Sequence, residues 1–381
     1  MEGGLDGAAS REGAELKAIV IRAFGGPDVL RWEDVPTPAP GPGEVLVRVH
    51  AVSVNRTLDL QVRHDGGNYG VTLPLVLGND PSGIVADVGP GVELTKVNDR
   101  VAIFGGVGCG RCQHCTDGNH RRCTSRQMLG VQCWGGYAEY LKIPAVNCVP
   151  VPEGLSFAQA TVVARHFPLA FGECYLADLK KGDWALVMGA AGGLGSCLVQ
   201  VAKTLGAHVV AAAGTDQRVQ VAVSLGADFG VNYRRHDLER EVMRITDGRG
   251  VDAVFENIAD PALWPGAFNS LAPGGRLVTV GAHGGGLVTL DVRRLYQQRL
   301  RVISGLGAER REDLERSLQL ASAGVLRVLI DRILPLRDAA AAHRLVETNE
   351  PLGKVILDPT LEARTEGHAG ASRLDSPSQP R

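Results

Sequence analysis

Four cysteines fall within fifteen residues of this chain, "CGRCQHCTDGNHRRC", from Cys109 through Cys112 and Cys115 to Cys123. Thiolates at such spacing bind a metal that does chemistry, bind a metal that holds a loop, or pair as disulfides. The N-terminal stretch "MEGGLDGAASREGAE" is acidic and Gly-rich and lacks the apolar run of a secretory signal, so a cytoplasmic location is expected. Thiols stay reduced there, which favours a metal over disulfides. A second stretch with chemical meaning is "MGAAGGLGS", residues 188 to 196. Gly192, Gly193 and Gly195 would let the backbone approach a pyrophosphate at a helix N-terminus, where free N–H groups and the helix dipole favour anions. Ala190 stands where a strict G-x-G-x-x-G has its first glycine. Alone, such a loop reads equally well as a tight turn. Its place between an apolar strand and an apolar helix favours dinucleotide binding.

Both stretches need elements to position them. At 381 residues the chain is too long for one comfortable core, so two domains are expected. Hydrophobic residues at 44% and charged residues at 22% are ordinary for a globular protein. A net charge of -2 gives no electrostatic case for nucleic acid or an anionic membrane, and no apolar run reaches bilayer length. There is no internal repeat. Residues 1–15 and 360–381 are poor in large apolar residues, and no structure is expected there. From 16 to about 165, short apolar segments ("AIVIRAF", "EVLVRVHAVSV", "GIVADVG", "RVAIF") alternate with Pro/Gly turns, the texture of a small all-β barrel. From 166 to 304, strands ("WALVMGA", "HVVAAAG", "DAVFENI", "GGRLVTVGA") alternate with helices ("GLGSCLVQVAKTLGA", "TDQRVQVAVSLGA") at βαβ spacing, which predicts a parallel sheet. Residues 305–359 add a helix ("REDLERSLQLASAG") and strand-like "RILPL" and "GKVILD", and are expected to return to the first domain. The fold class is α/β.

The strand after the glycine loop bears on which dinucleotide binds. An NAD site wants an acidic residue at its end for the ribose hydroxyls. Ala213 and Gly214 stand there instead and leave room for a 2′-phosphate. Thr215, Arg218 and Tyr233 are placed to hold it by hydrogen bonds and charge. Asp216 argues the other way, but lies in the turn beyond the strand end. NADP is expected over NAD.

Here the chain resembles the medium-chain dehydrogenase/reductase superfamily of zinc alcohol dehydrogenases, quinone oxidoreductases and enoyl thioester reductases. The resemblance runs from about residue 17 to 358 and rests on "GPGEVLVRV", "NDRVAIFG", "GAAGGLG", "LGAD…VNYR" and "LGKVILD". It implies a GroES-like β-barrel catalytic domain with a zinc lobe at 105–125, a doubly wound Rossmann cofactor domain, a cofactor cleft between them, and a homodimer or homotetramer. It implies that "QQRLRVISG" is a subunit-pairing edge strand. It places Gly189, Ala190, Gly192, Gly193, Leu194, Gly195, Asn257 and Gly281 beside the cofactor. It makes Cys109, Cys112, Cys115 and Cys123 (C-x2-C-x2-C-x7-C) the ligands of one structural Zn2+. Four thiolates form a closed shell with no open position, which stiffens a loop and catalyses nothing. His114 and His120 are surplus to it, and Cys133, Cys148, Cys174 and Cys197 are expected to be buried small residues.

In the alcohol-oxidising members, a second zinc is held by a Cys, a His and a further Cys or Asp. The matching positions here read Asn55, Asn79 (followed by Asp80) and Arg165 or Ala164, with His166 one residue on. Asparagine is a weak zinc ligand and a cation opposes one. A site improvised from Asp80, Asp59 and His166 is the alternative. Without a Lewis acid, reduction of a polarised C=C bond or a quinone is favoured over alcohol oxidation. The resemblance to the zinc-free enoyl reductases puts Tyr69, in "GGNYG", on their proposed proton donor. It puts Asn55 on an asparagine that hydrogen-bonds nicotinamide or substrate. Asp59 is one residue further from Asn55 than in their motif. His166 is a second candidate donor. His50 reads as packed. Three functions stay open: an NADPH-dependent reductase of enones, quinones or enoyl thioesters; an alcohol or aldehyde dehydrogenase with an unconventional metal site; and a non-enzymatic NADPH-binding protein.

Overall fold

The computed structural model describes residues 14–117 and 122–362. Residues 1–13 and 363–381, most of the expected head and tail, lie outside the described residues, as does His120. The strand Glu15–Ile21 starts at the last residue of the expected head.

The first domain is organised by the strand Glu44–Ser53, whose valines are buried on both faces. It pairs antiparallel with Ser82–Val88 and Tyr140–Pro144, so that Val47 faces Val85 and Leu141. Val45, Val47, Val49, Val85, Val101 and Leu141 share one apolar core. The chain comes back to this strand near its C-terminal end. Lys354–Asp358 pairs antiparallel with the end of the same central strand, Ile356 opposite Ser53, and Ile330–Pro335 runs parallel beside it. This brings Lys354 to the residues that follow Ser53.

The second domain is a six-stranded parallel sheet. Its order is Phe229–Asn232, His208–Ala213, Trp184–Met188, Val251–Glu256, Leu271–Thr279 and Arg301–Ser304. Numbered along the chain this is 3-2-1-4-5-6, the doubly wound Rossmann order. The order reverses between Trp184–Met188 and Val251–Glu256, and a ligand crevice opens at the carboxyl ends there. Those ends carry the glycine loop and Asn257. Arg301–Ser304, from the "QQRLRVISG" segment, is an edge strand of this sheet.

One long helix, Phe157–Leu176, lies between the two sheets. A capping box starts it: the Ser156 hydroxyl accepts from Gln159 N, and the Gln159 side chain accepts from Ser156 N. The expected boundary at 165/166 falls inside this helix. Its buried Phe167 and Phe171 join the core that also holds Val187 and Phe255 of the parallel sheet. Leu314 and Leu318, from the helix Arg311–Ser322, enter that same core. Among the described residues no helix is long and apolar enough to cross a membrane.

Candidate functional site

The zinc lobe forms as its spacing requires. The four Sγ atoms of Cys109, Cys112, Cys115 and Cys123 all lie within 4.8 Å of one another, and Cys109 and Cys115 are 4.0 Å apart. A tetrahedral zinc with bonds of about 2.3 Å sets its sulfurs about 3.8 Å apart, so the residues fit the ion. Backbone N–H groups of Arg111 and Cys112 lower the pKa of Cys109 and favour its thiolate. Cys148, Cys174 and Cys197 are buried and Cys133 is half-buried. Cys112→Ser is expected to lose zinc and thermal stability while affinity for the pyridine nucleotide stays unchanged. A variant that keeps both its zinc and its melting temperature would remove Cys112 from the ligand set.

The glycine loop joins Trp184–Met188 to the helix Gly193–Thr204. Gly189 has φ +63°, and a Cβ on Gly195 would sit 2.2 Å from the Gly189 carbonyl oxygen. The first-turn N–H groups have no intrahelical partner and face the crevice where a pyrophosphate would lie. Asn257 follows the strand Val251–Glu256, and both of its side-chain polar atoms are buried without a partner. Gly281 approaches so closely that a Cβ there would lie 2.1 Å from Asn257 O. An orphaned amide beside a bare glycine is a fitting wall for a polar cofactor.

At the ribose end, a Cβ on Gly214 would meet the Tyr233 hydroxyl at 3.1 Å and Arg234 Nε at 3.3 Å. Thr215 caps the next helix by accepting from Arg218 N. Asp216 is turned away and held by Asn232 Nδ2 and Arg235. The Arg218 guanidinium donates to Asn349 O at 2.6 Å and Pro351 O at 3.3 Å, which ties it to the loop before Lys354–Asp358. Burial and the Arg218 charge lower the pKa of Arg56, so these two cations stand near each other across the domain joint. Thr57 Oγ1 lies 3.1 Å from His283 Nδ1 in the "GAHGGG" loop. Arg56 and Arg234 were not singled out from the sequence; only their positive charge near the motifs marked them.

The bottom of the cleft is a buried polar cluster. Both polar atoms of the Asn55 side chain are engaged: Oδ1 accepts from Lys354 Nζ at 2.7 Å, and Nδ2 donates to Asp80 Oδ2 at 3.3 Å. Lys354 Nζ also donates to Val54 O at 3.2 Å. Asp80 accepts from Ser53 N at 3.0 Å and Ser53 Oγ at 2.5 Å. Asp59 Oδ2 accepts from Asn55 N at 2.7 Å and from Tyr137 OH at 3.3 Å, while Oδ1 is buried with no partner. Burial, then the Asp80 charge, pushes Asp59 up to about 7. Burial pulls Lys354 down to about 8 against the opposing pull of Asp80 and Asp59. His166 packs near Gly193 of the glycine loop, and burial and the Lys354 and Arg165 charges keep it neutral.

Behind Asp59 the donors form a chain to the surface. Arg63, 2% exposed, donates to Glu347 Oε1 at 2.6 Å and to His343 Nδ1 at 3.3 Å. A guanidinium only donates, so His343 carries its proton on Nε2 and gives it to Tyr137, 3.1 Å away. Tyr137 in turn donates to Asp59, so His343 and Tyr137 pass their hydrogen bonds inward while Arg63 donates both inward to His343 and outward to Glu347.

The residues at the second-zinc positions do not fit zinc. Asn79 turns its amide to Leu129 O at 2.8 Å, Asn55 is engaged by Lys354 and Asp80, and Arg165 and Lys354 bring positive charge. Among the described residues, Asp59, Asp80 and His166 do not converge as three metal donors; the cysteine lobe does. Tyr69 is half-buried on the barrel core, against Gly67, with its carbonyl accepting from Gln132. The core it packs against also holds Val54 and Tyr137, which contact Lys354 and Asp59. His50 stacks on Phe157.

Residues 41–153 match the family model described as the alcohol dehydrogenase GroES-like domain, and 193–323 the zinc-binding dehydrogenase model. An NAD-dependent alcohol dehydrogenase of Sulfolobus acidocaldarius is 34% identical over 351 residues, 91% of this chain and 100% of that protein. The crystal structure of AibC aligns with a TM-score of 0.86 at 31% identity, over 95% of this chain and 100% of that one. A quinone oxidoreductase of Pseudomonas syringae pv. Tomato DC3000 aligns with a TM-score of 0.75 at 27% identity, over 90% of this chain and 100% of that one. Matched along nine-tenths of its length, with a GroES-like barrel joined to a Rossmann-type sheet, the chain belongs to the medium-chain dehydrogenase/reductase superfamily and is an oxidoreductase.

Proposed function

We propose that this oxidoreductase uses NADPH to reduce an activated C=C bond or a quinone on a small molecule, with one structural zinc and no zinc in the cleft. The observation that carries the reading is the Lys354 ammonium bonded to Asn55 Oδ1 at 2.7 Å, amid Asp59, Asp80 and Arg165. A cation stands beside these positions, and the amides there are bonded to Lys354, Asp80 and Leu129 O, which disfavours a metal. The cofactor supplies hydride when bound. The glycine loop and helix N-terminus bind its pyrophosphate, Asn257 and Gly281 border its nicotinamide end, and Gly214, Tyr233, Arg218 and Arg234 surround its ribose. His166 is half-buried, neutral and borders the loop; Tyr69 packs on the barrel core. Either remains a proton donor under this reading only if the substrate reaches it.

The Sulfolobus relative is named as an alcohol dehydrogenase, so the second reading is alcohol oxidation. The test is tightly bound zinc per chain together with turnover. One zinc, with NADPH oxidised by an enone, enoyl thioester or quinone, is the expected result. Two zincs, with chelator-sensitive alcohol oxidation, would overturn the reading. NADPH binding without turnover of any acceptor would instead favour a binding protein.

Arg218→Ala is expected to weaken NADPH roughly ten- to a hundredfold, from the loss of one charged hydrogen bond, and to leave NADH nearly unchanged. An equal loss for both would refute the 2′-phosphate assignment. A homodimer through the edge strand Arg301–Ser304 fits the exposure of Tyr296 (66%), Val302 (40%) and Leu306 (72%) around it. A cytoplasmic location goes with this metabolite chemistry.

A further inference from the structure

We propose that Lys354 is a catalytic residue of the cleft, an organic stand-in for a Lewis acid. Its ammonium, held by Asn55 Oδ1 and Val54 O, donates its third N–H to the substrate oxygen on which negative charge builds. This rests on the reductase reading above.

An ammonium has three N–H donors, and two have acceptors, at 2.7 and 3.2 Å. The third has no protein acceptor among the described residues. The nearby carboxylates do not take it. Asp80 spends its oxygens on Ser53 and Asn55, and Asp59 Oδ2 is taken by Asn55 N and Tyr137. Lys354 therefore lies near two carboxylates with no direct ion pair to either among the described residues. The groups that face it are Asp80, Asp59, Arg165, His166 and Cys197.

Three buried polar atoms of residues whose charges interact with Lys354 have no partner: Asp59 Oδ1, Arg165 Nε and His166 Nδ1. Buried polar atoms are rarely left unpaired, and several together mark the wall of a site for a polar ligand. A Cβ on Gly193 would meet the His166 ring at 3.2 Å, which puts His166 beside the glycine loop.

The substrate class follows from the charge. A hydride added to the β-carbon of an α,β-unsaturated carbonyl forms one C–H bond and moves the π pair on to the carbonyl oxygen. The ammonium meets that oxyanion, having been oriented before the charge appears. The enolate then takes a proton from water at the α-carbon. A quinone differs only in taking its hydride and later proton on oxygen or ring carbon.

The test compares wild type, Lys354→Met and Lys354→Arg as full chains. With an enone and NADPH, the Met variant is expected to lose about 10²- to 10³-fold in kcat, the size of losing one oxyanion donor, while NADPH affinity is unchanged. The Arg variant should recover part of it. A second readout needs no turnover: a nitrophenol, an enolate mimic, is bound to the NADP-saturated protein and its absorption read. Wild type should hold it as phenolate and the Met variant as phenol. Should Lys354→Met fail to fold, Lys354→Met with Asp80→Asn removes the charges together and carries the same two readouts. Unchanged kcat, or phenolate bound equally by the folded variant, overturns the lysine role. A wild type that reduces no enone or quinone overturns the reductase reading, and the lysine role with it.

Discussion

Gly195→Ala is expected to lose NADPH affinity roughly a hundredfold, the worth of two backbone hydrogen bonds to a charged acceptor, while the fold survives. A Cβ there would lie 2.2 Å from Gly189 O, 2.8 Å from Gly189 C and 2.9 Å from the Ala190 Cα. All three are backbone atoms, so no side chain can swing aside. The loop must move as a unit, and its N–H groups move with it. The neighbouring Gly192 is the control. A Cβ on Gly192 meets Gly189 O at 3.1 Å, a contact that a shift of a few tenths of an ångström relieves. Fluorescence titration with NADPH, with circular dichroism to confirm folding, measures both. Equal affinity in the two variants would mean that this loop does not carry the pyrophosphate.

What could be read from the sequence was what lies close together in it. The zinc lobe needs fifteen residues, and the spacing of Cys109, Cys112, Cys115 and Cys123 alone brings four sulfurs within 4.8 Å. The glycine loop likewise follows from a strand, a turn and a helix in succession, and the doubly wound order from their alternation. The cleft cluster was legible only in its negative half. Asn55, Asn79 and Arg165 could be seen as poor zinc ligands, but not the lysine that bonds to Asn55. Lys354 comes from 299 residues away, in a short apolar strand with nothing to mark it as a site residue. Its partners are set by the pairing of Ile356 with Ser53, a register the sequence does not declare. The same holds for Arg63, Tyr137 and His343, which meet Asp59 only once helix and barrel are packed. Asn55 illustrates the limit best. It was expected to reach for nicotinamide or substrate, and its amide is instead committed to Lys354 and Asp80.

Glu173→Gln is expected to stabilise the protein, and by more as pH rises. Glu173 lies on the long helix, fully buried, with both carboxyl oxygens unpartnered and Gly305 and Val278 beside it. No cation answers it, so burial alone pushes its pKa up to about 8 from the ordinary 4.5. The folded chain therefore keeps a proton that the unfolded chain releases above about 4.5. The folded state binds more protons across that window, so stability falls with rising pH, by about 1.4 kcal/mol per pH unit, until the folded carboxyl itself ionises near 8. Below 4.5 the group contributes no pH dependence. Glutamine has the same shape and the same unsatisfied amide-like polarity, but does not titrate. Wild type and variant should thus match near pH 4.5 and diverge by about 3 kcal/mol by pH 7. Urea unfolding at pH 5, 6, 7 and 8 reads the divergence directly. Parallel stability curves would show that Glu173 is already ionised in the folded protein, and that an unseen cation or solvent path reaches the joint between long helix and parallel sheet.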